Sequence, residues 1–475
     1  MQFTTILFFL FLTGTLIVYY LIPVRFRNYF LIAASAFFYI YAGPVFFLLL
    51  MAMIVANFLT GLKLEQATVE NIRKRYLVMG VCINLGPLIF FKYWNFLAGN
   101  LTELFSAFHW GFNLPYINIV LPLGLSYYVF QFIAYLVDIY WKHEKAERDV
   151  FRFSLFIMFF PKILVGPIER AGNFLPQLTK KIFFDTDNLI EGGKRIVWGL
   201  FKKLVVADRI AIYQSAVMSS QDHQSGITML FATLIYTFQV YADFSGYTDI
   251  ALGTARLFGF KLMENFKRPL LAQNMGQFWR RWHISLSSWV NDYVFTPLAF
   301  KRRAWGITGV FYSLTLSFAI IGIWHGSTWN YLAFGLLQAM ALMYEYATRR
   351  FRKKMSRTIP SVIYNNLSIL FTFLYISFCL IIFRTDTFSD AGATIKAIFT
   401  HSGSLFYDKP STLLFMLIGC MIMILHDIQE EFKLFRFSFV SNENWVAQQV
   451  SYALLIIYIL AAGVFDGGQF IYFAF

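Results

Sequence analysis

Long apolar stretches recur from one end of this chain to the other, and that recurrence limits its fold more than any single motif does. A helix crossing a bilayer needs roughly 20 mostly apolar residues, because hydrocarbon offers no partner to an unpaired backbone amide or carbonyl. Stretches of that kind fall at 3–22, 29–42, 45–61, 77–91, 117–140, 151–165, 228–258, 308–324, 329–346, 363–383, 411–426 and 449–464, with 228–258 long enough for one helix or two. Of 475 residues, 58% are hydrophobic and 14% charged, and 57 are Phe. That is more apolar surface than a water-soluble core can hide. The expected fold is an all-α, polytopic transmembrane helical bundle of about 10–12 spans, a single domain over residues 1–475. The first stretch lacks a basic n-region and a small-residue cleavage motif and reads as a retained helix.

The net charge of +14 comes from Lys and Arg clusters at 25–27, 73–75, 142–148, 301–303 and 349–354. Nucleic acid is not the partner this implies, since basic loops are what the positive-inside rule demands of a membrane protein. The clusters would face the cytoplasm, leaving the N-terminus and the segments 95–116 and 385–410 outside. Between 176 and 208, lysines and arginines alternate with apolar residues, which suits a helix lying on the cytoplasmic surface. The cysteines Cys82, Cys379 and Cys420 lie far apart in apolar segments, so neither a disulfide framework nor a metal site is indicated.

Three segments put polar groups where burial makes them costly. The first is 277–293. Read as one helix, it sets Trp279, Trp282, His283, Leu286, Trp289, Val290 and Tyr293 on one stripe and Arg280, Arg281, Ser287, Ser288, Asn291 and Asp292 on the other. The plain reading is an interfacial amphipathic helix with snorkelling arginines, and an inward imidazole at His283 that needs a partner. Arg280 and Arg281 could also hold donor phosphates.

The second is Ile-Gly-Ile-Trp-His-Gly-Ser-Thr-Trp-Asn at 321–330, a break between two apolar helices. An ionisable residue at that depth is a functional hypothesis by default. His325 would sit there as a neutral imidazole able to take a proton from a hydroxyl, with Trp324 beside it and Asn330 as a polar neighbour. A histidine at a helix break can also simply cap the chain end. The third, 239–249, inserts Gln239, Asp243 and Asp249 into an apolar run. Two buried carboxylates need partners, so they line a polar tunnel or pair with Lys or Arg of the adjacent basic helix.

Together with Leu-Pro-Leu-Gly-Leu-Ser-Tyr-Tyr-Val-Phe-Gln at 121–131 and Phe-Pro-Lys-Ile-Leu-Val-Gly-Pro-Ile-Glu-Arg at 160–170, the blocks at 241–249, 278–293 and 324–326 resemble the signature blocks of the membrane-bound O-acyltransferase family. The branch it is most similar to serves bacterial alginate and peptidoglycan O-acetylation, with teichoic-acid D-alanylation more distant. The resemblance implies a helical fold with a central funnel or tunnel. In it, a cytoplasmic acyl thioester, acetyl-CoA, serves as donor substrate, and no cofactor is bound. It matches the family's essential histidine to His325 and the upstream His-or-Asn position to His283, both as catalytic residues.

It also implies location in the bacterial inner (cytoplasmic) membrane, a polysaccharide acceptor and a periplasmic or secreted acetyltransferase partner. The alternatives are D-alanyl transfer to teichoic acid, a transporter that moves an acylated intermediate without bond chemistry, and a non-catalytic scaffold.

Overall fold

A computed structural model describes residues 1–220, 223–407, 409–434 and 444–465, and every regular element among them is helical. Seven of these helices are long and apolar enough to cross a membrane, and Ile6–Leu21 and Leu125–Tyr140 are shorter apolar helices. The run at 228–258 is one helix, Gly226–Leu257. The run at 151–165 is instead two short buried helices, Val150–Met158 and Phe160–Ile163. They are separated at Phe159, just before Pro161, which cannot donate a backbone hydrogen bond.

The chain forms two compact units, residues 1–192 with 254–263 and residues 193–253 with 264–475. In the first, Leu125–Tyr140 is buried along nearly its whole length. The helices Pro44–Gln66 and Glu70–Leu88 are joined by reciprocal amide bonds between Asn57 and Asn84, at 3.0 and 2.7 Å, the kind of polar contact that links helices in lipid. The block at 160–170 contributes Lys162, whose ammonium donates to Gln131 Oε1 at 2.6 Å and lies 4.6 Å from the Phe156 ring. Buried lysine is costly unless hydrogen-bonded and packed on aromatic faces, and this one is both.

The second unit carries the candidate chemistry. Thr186–Leu200 continues through a wide π turn, Phe201–Ala207, into Asp208–Met218. Residues 201–207 are all buried, so the expected surface helix holds only up to its middle. Gly199 explains why. A Cβ there would stand 2.6 Å from the Gly246 carbonyl oxygen, so only glycine lets this helix touch Gly226–Leu257. The close approach brings two lysines onto the carboxylates of the longer helix.

Lys202 Nζ meets Asp249 Oδ2 at 2.5 Å and Ser245 Oγ at 2.8 Å. Lys203 Nζ meets Asp243 Oδ1 and Asp208 Oδ1, each at 2.7 Å. Asp249 also accepts from Arg195 at 3.0 Å. Of the two readings of Asp243 and Asp249, ion pairing is what the geometry displays.

Candidate active site

The hairpin of Ile307–His325 and Trp329–Ala347 builds one side of the site. Its helices cross where a Cβ on Gly335 would lie 2.2 Å from the Phe318 carbonyl oxygen and 3.1 Å from Gly322 Cα. His325 is the last residue of the first helix, 3% exposed. Its ring packs edge-on against Trp324 at 5.1 Å and Phe383 at 5.3 Å between centroids. The hairpin turn is pinned by Asn330, whose amide donates to the Thr385 carbonyl at 2.7 Å. Asn330 therefore positions the turn and does not line the site.

His325 faces a slot of about 20 Å³ whose walls include Thr237, Trp279, Trp282, Phe334, Leu380 and Phe383. Such a volume holds one water-sized group. The walls come from four separated parts of the sequence, and Phe334, Phe383, Leu380 and Thr237 had no sequence signal beyond belonging to apolar helices.

The second histidine required a correction. Segment 277–293 is not one amphipathic helix: Met275–Arg281 ends at Trp282, and a new helix, Ile284–Val290, starts after His283. His283 occupies the left-handed region, φ 44° and ψ 53°. A side chain with a Cβ pays roughly 1–2 kcal/mol there, and His, Asn and Asp tolerate it better than other residues. Its Nδ1 repays part of that cost by accepting the Leu286 backbone N–H at 3.2 Å, capping the new helix.

Asn265 completes the join. Its carbonyl accepts from Ile284 N at 2.9 Å and its Oδ1 from Ser285 N at 3.1 Å. Nothing in the periodicity of the sequence marks Asn265. The imidazole of His283 is fully buried, 4.7 Å from the Phe244 ring and 5.6 Å from the Trp324 ring. The Trp324 ring thus lies against both imidazoles. Burial pushes the His283 pKa down to about 3, so the ring is neutral at physiological pH. An Nδ1 that accepts a backbone N–H carries no proton, which leaves the proton on Nε2.

The remaining sequence candidates divide by role. Trp282 lines the slot, stacked on Phe278 at 5.5 Å. Gln239 is buried on Gly226–Leu257, and its Oε1 has no donor among the described residues. Arg280 is exposed. Arg281 is ion-paired: its Nη2 donates to Glu431 Oε1 at 2.7 Å, and Arg268 Nε donates to Glu431 Oε2 at 2.7 Å. Glu431 so clamps both ends of the 268–281 segment, whose helix Met275–Arg281 leads toward His283. His426 packs its ring on Trp198 at 4.3 Å.

Replacing Glu431 by Gln is expected to cost about 1.5–3 kcal/mol, the value of hydrogen bonds to a charged group. A thermal melt in detergent checks it, and an unchanged melting temperature would refute the clamp.

The site thus brings together two buried histidines and a small slot in a polytopic helical membrane protein. Comparison with known proteins gives the class. The model of the membrane-bound O-acyltransferase family matches residues 143–384, and the chain belongs to that family. It is an O-acyltransferase, and among its relatives is a probable alginate O-acetylase of Pseudomonas putida. That protein is 34% identical over 400 residues, covering 84% of this chain and 80% of the relative. A peptidoglycan O-acetyltransferase of Helicobacter pylori is 31% identical, covering 82% and 79%. A teichoic acid D-alanyltransferase of Bacillus subtilis is 29% identical over 65% and 77%.

Proposed function

We propose that the chain moves an acetyl group from cytoplasmic acetyl-CoA to a hydroxyl on the far side of the bacterial cytoplasmic membrane, for O-acetylation of a cell-envelope polysaccharide. The observation that carries this reading is His325 buried at a helix end and facing a slot of about 20 Å³. His325 acts as general base. It takes the proton as the acceptor oxygen bonds to the acyl carbon, the C–S bond breaks, and the proton passes to the departing thiolate. Such a base contributes roughly 10²–10⁴-fold. His283, neutral and protonated on Nε2, acts as a hydrogen-bond donor to the oxygen that becomes negative, not as a second base.

That role explains why His or Asn suits this position. Either side chain can adopt the left-handed backbone, cap the helix through an acceptor atom and keep an N–H for the substrate. His283→Asn is therefore expected to keep activity within about tenfold of wild type, while His283→Ala loses roughly 10²–10³-fold, the loss typical of one oxyanion donor. Equal loss in both variants, measured as acetyl transfer per folded molecule, would count against the donor role.

The lining of the slot favours acetyl over D-alanyl transfer. A D-alanyl group carries an ammonium, and no carboxylate among the described residues lines the slot. Two acceptors fit the reading: the glycan hydroxyl itself, or a hydroxyl of a periplasmic or secreted acetyltransferase partner that passes the group on. The test is the purified protein in liposomes with radiolabelled acetyl-CoA supplied on one side. Transfer of label to an acceptor and release of free CoA are the expected results. Transport of an intact acylated compound with no thioester cleavage would overturn the reading.

A further inference from the structure

Among the described residues that line the His325 slot, only Thr237, Trp279, Trp282 and His325 carry polar side-chain atoms. The Thr237 hydroxyl is engaged, 2.7 Å from Ser377 Oγ. The indole of Trp279 is not. Trp279 is 6% exposed, its Nε1 is buried, and no acceptor for that N–H stands among the described residues. Its ring meets Phe318 edge-on at 5.1 Å between centroids, and an aromatic ring is a weak partner beside an oxygen.

A buried tryptophan N–H ordinarily finds a partner, and a desolvated donor without one is a standing cost. Phenylalanine would fill the wall without that cost. The backbone that carries the indole is held firmly. Trp279 lies on Met275–Arg281, whose first turn is fixed from two sides. Asn274 Oδ1 accepts from Gln277 N at 2.8 Å, and the Glu345 carboxylate accepts from Met275 N at 2.5 Å and from Gly276 N at 3.1 Å. Phe318, against which the ring packs, belongs to Ile307–His325, the helix that ends in the proposed base. Donor and imidazole are thus braced on one helix, as a preorganised site requires.

We infer that the acceptor Trp279 lacks is the carbonyl oxygen of the acyl thioester. The slot, of about 20 Å³, admits one water-sized group, the size of that oxygen. A neutral N–H suits an atom that is neutral in the bound thioester and negative at the transition state. As the acceptor hydroxyl oxygen bonds to the carbonyl carbon, the C=O electron pair moves onto the carbonyl oxygen and the hydrogen bond from Nε1 strengthens. When the pair returns, the C–S bond breaks, and the hydroxyl proton passes through His325 to the thiolate. The indole proton stays on its nitrogen throughout. Trp279 is then a catalytic residue beside the two histidines. This inference rests on the acyl-transfer reading above and is independent of the role given to His283.

The experiment uses the full chain in liposomes with radiolabelled acetyl-CoA, and replaces Trp279 by benzothienylalanine, which keeps the shape of the indole and puts sulfur in place of the N–H. The kcat for thioester cleavage should fall by roughly 10²–10³-fold, the loss typical of one oxyanion donor. KM for acetyl-CoA should change far less, and the melting temperature should stay close to wild type. Trp279→Phe, a second ring without an N–H, should lose kcat to a similar extent. The infrared stretch of an isotope-labelled acetyl carbonyl, bound to the slow His325→Gln variant, gives a readout independent of rate. It should lie at lower wavenumber with tryptophan at 279 than with benzothienylalanine. Wild-type kcat in the benzothienylalanine protein, a loss confined to KM, or the same stretch in both would each overturn the assignment, with thioester cleavage by wild type left standing. If wild type leaves acetyl-CoA uncleaved, the acyl-transfer reading fails and this one fails with it.

Discussion

Acetyl transfer by His325→Ala is expected to fall by roughly 10²–10⁴-fold, the contribution of a positioned general base. Among the described residues that line the slot, the substitution removes the one imidazole, and the alanine cannot pass the acceptor proton to the thiolate. The same change also empties space against Phe383 and Phe334, whose rings lie 5.3 and 6.3 Å from the imidazole. A poorly folded variant would mimic the kinetic result, so His325→Gln, which fills the site without a titrating nitrogen, is the companion. Both variants should elute and melt close to wild type in detergent while neither releases CoA at a comparable rate. Near-normal transfer by folded His325→Gln would remove His325 from the mechanism.

Lys203→Met should produce the largest loss of stability, about 3–5 kcal/mol, the cost of removing one partner from a buried ion pair. Lys203 bridges Asp208 and Asp243, and all three side chains are at most 4% exposed. Methionine matches the stem of the lysine but leaves two carboxylates facing each other without their shared cation. Asp243→Asn in the Lys203→Met background should recover part of the loss, because one of the two negative charges is gone. Unfolding midpoints in denaturant give the answer without any substrate. A Lys203→Met protein as stable as wild type would show that the pair is solvated in the membrane protein, contrary to its burial.

Much of the candidate site was readable because a polar residue in an apolar run has to be explained. His325, His283, Asp243 and Asp249 all stood out on that cost, and all are buried. Trp282 and Trp324 stood out by adjacency, and both are packed at the histidines. The periodicity that drew 277–293 as one helix failed because helical spacing records which side chains share a face. It does not record where a backbone turns left-handed. That turn is held by the Nδ1 cap of His283 and by Asn265, groups that contribute nothing to an amphipathic pattern.

Arg281 read as a snorkelling or phosphate-binding residue because its partner, Glu431, lies 150 positions away. Lys202 and Lys203 read as surface residues because a lysine is assigned to solvent unless its carboxylates are known to meet it.

The run lengths and composition alone settled that this chain is helical and membrane-embedded, since an unpaired backbone in hydrocarbon leaves almost no alternative. Spaced motifs were enough to mark the two histidines. Tertiary packing decided everything that depends on which distant residues become neighbours. It set the tautomer of His283, the dimensions of the slot and the pairing of the buried aspartates. Those are pairwise quantities, fixed by distance and desolvation, and a linear sequence carries neither.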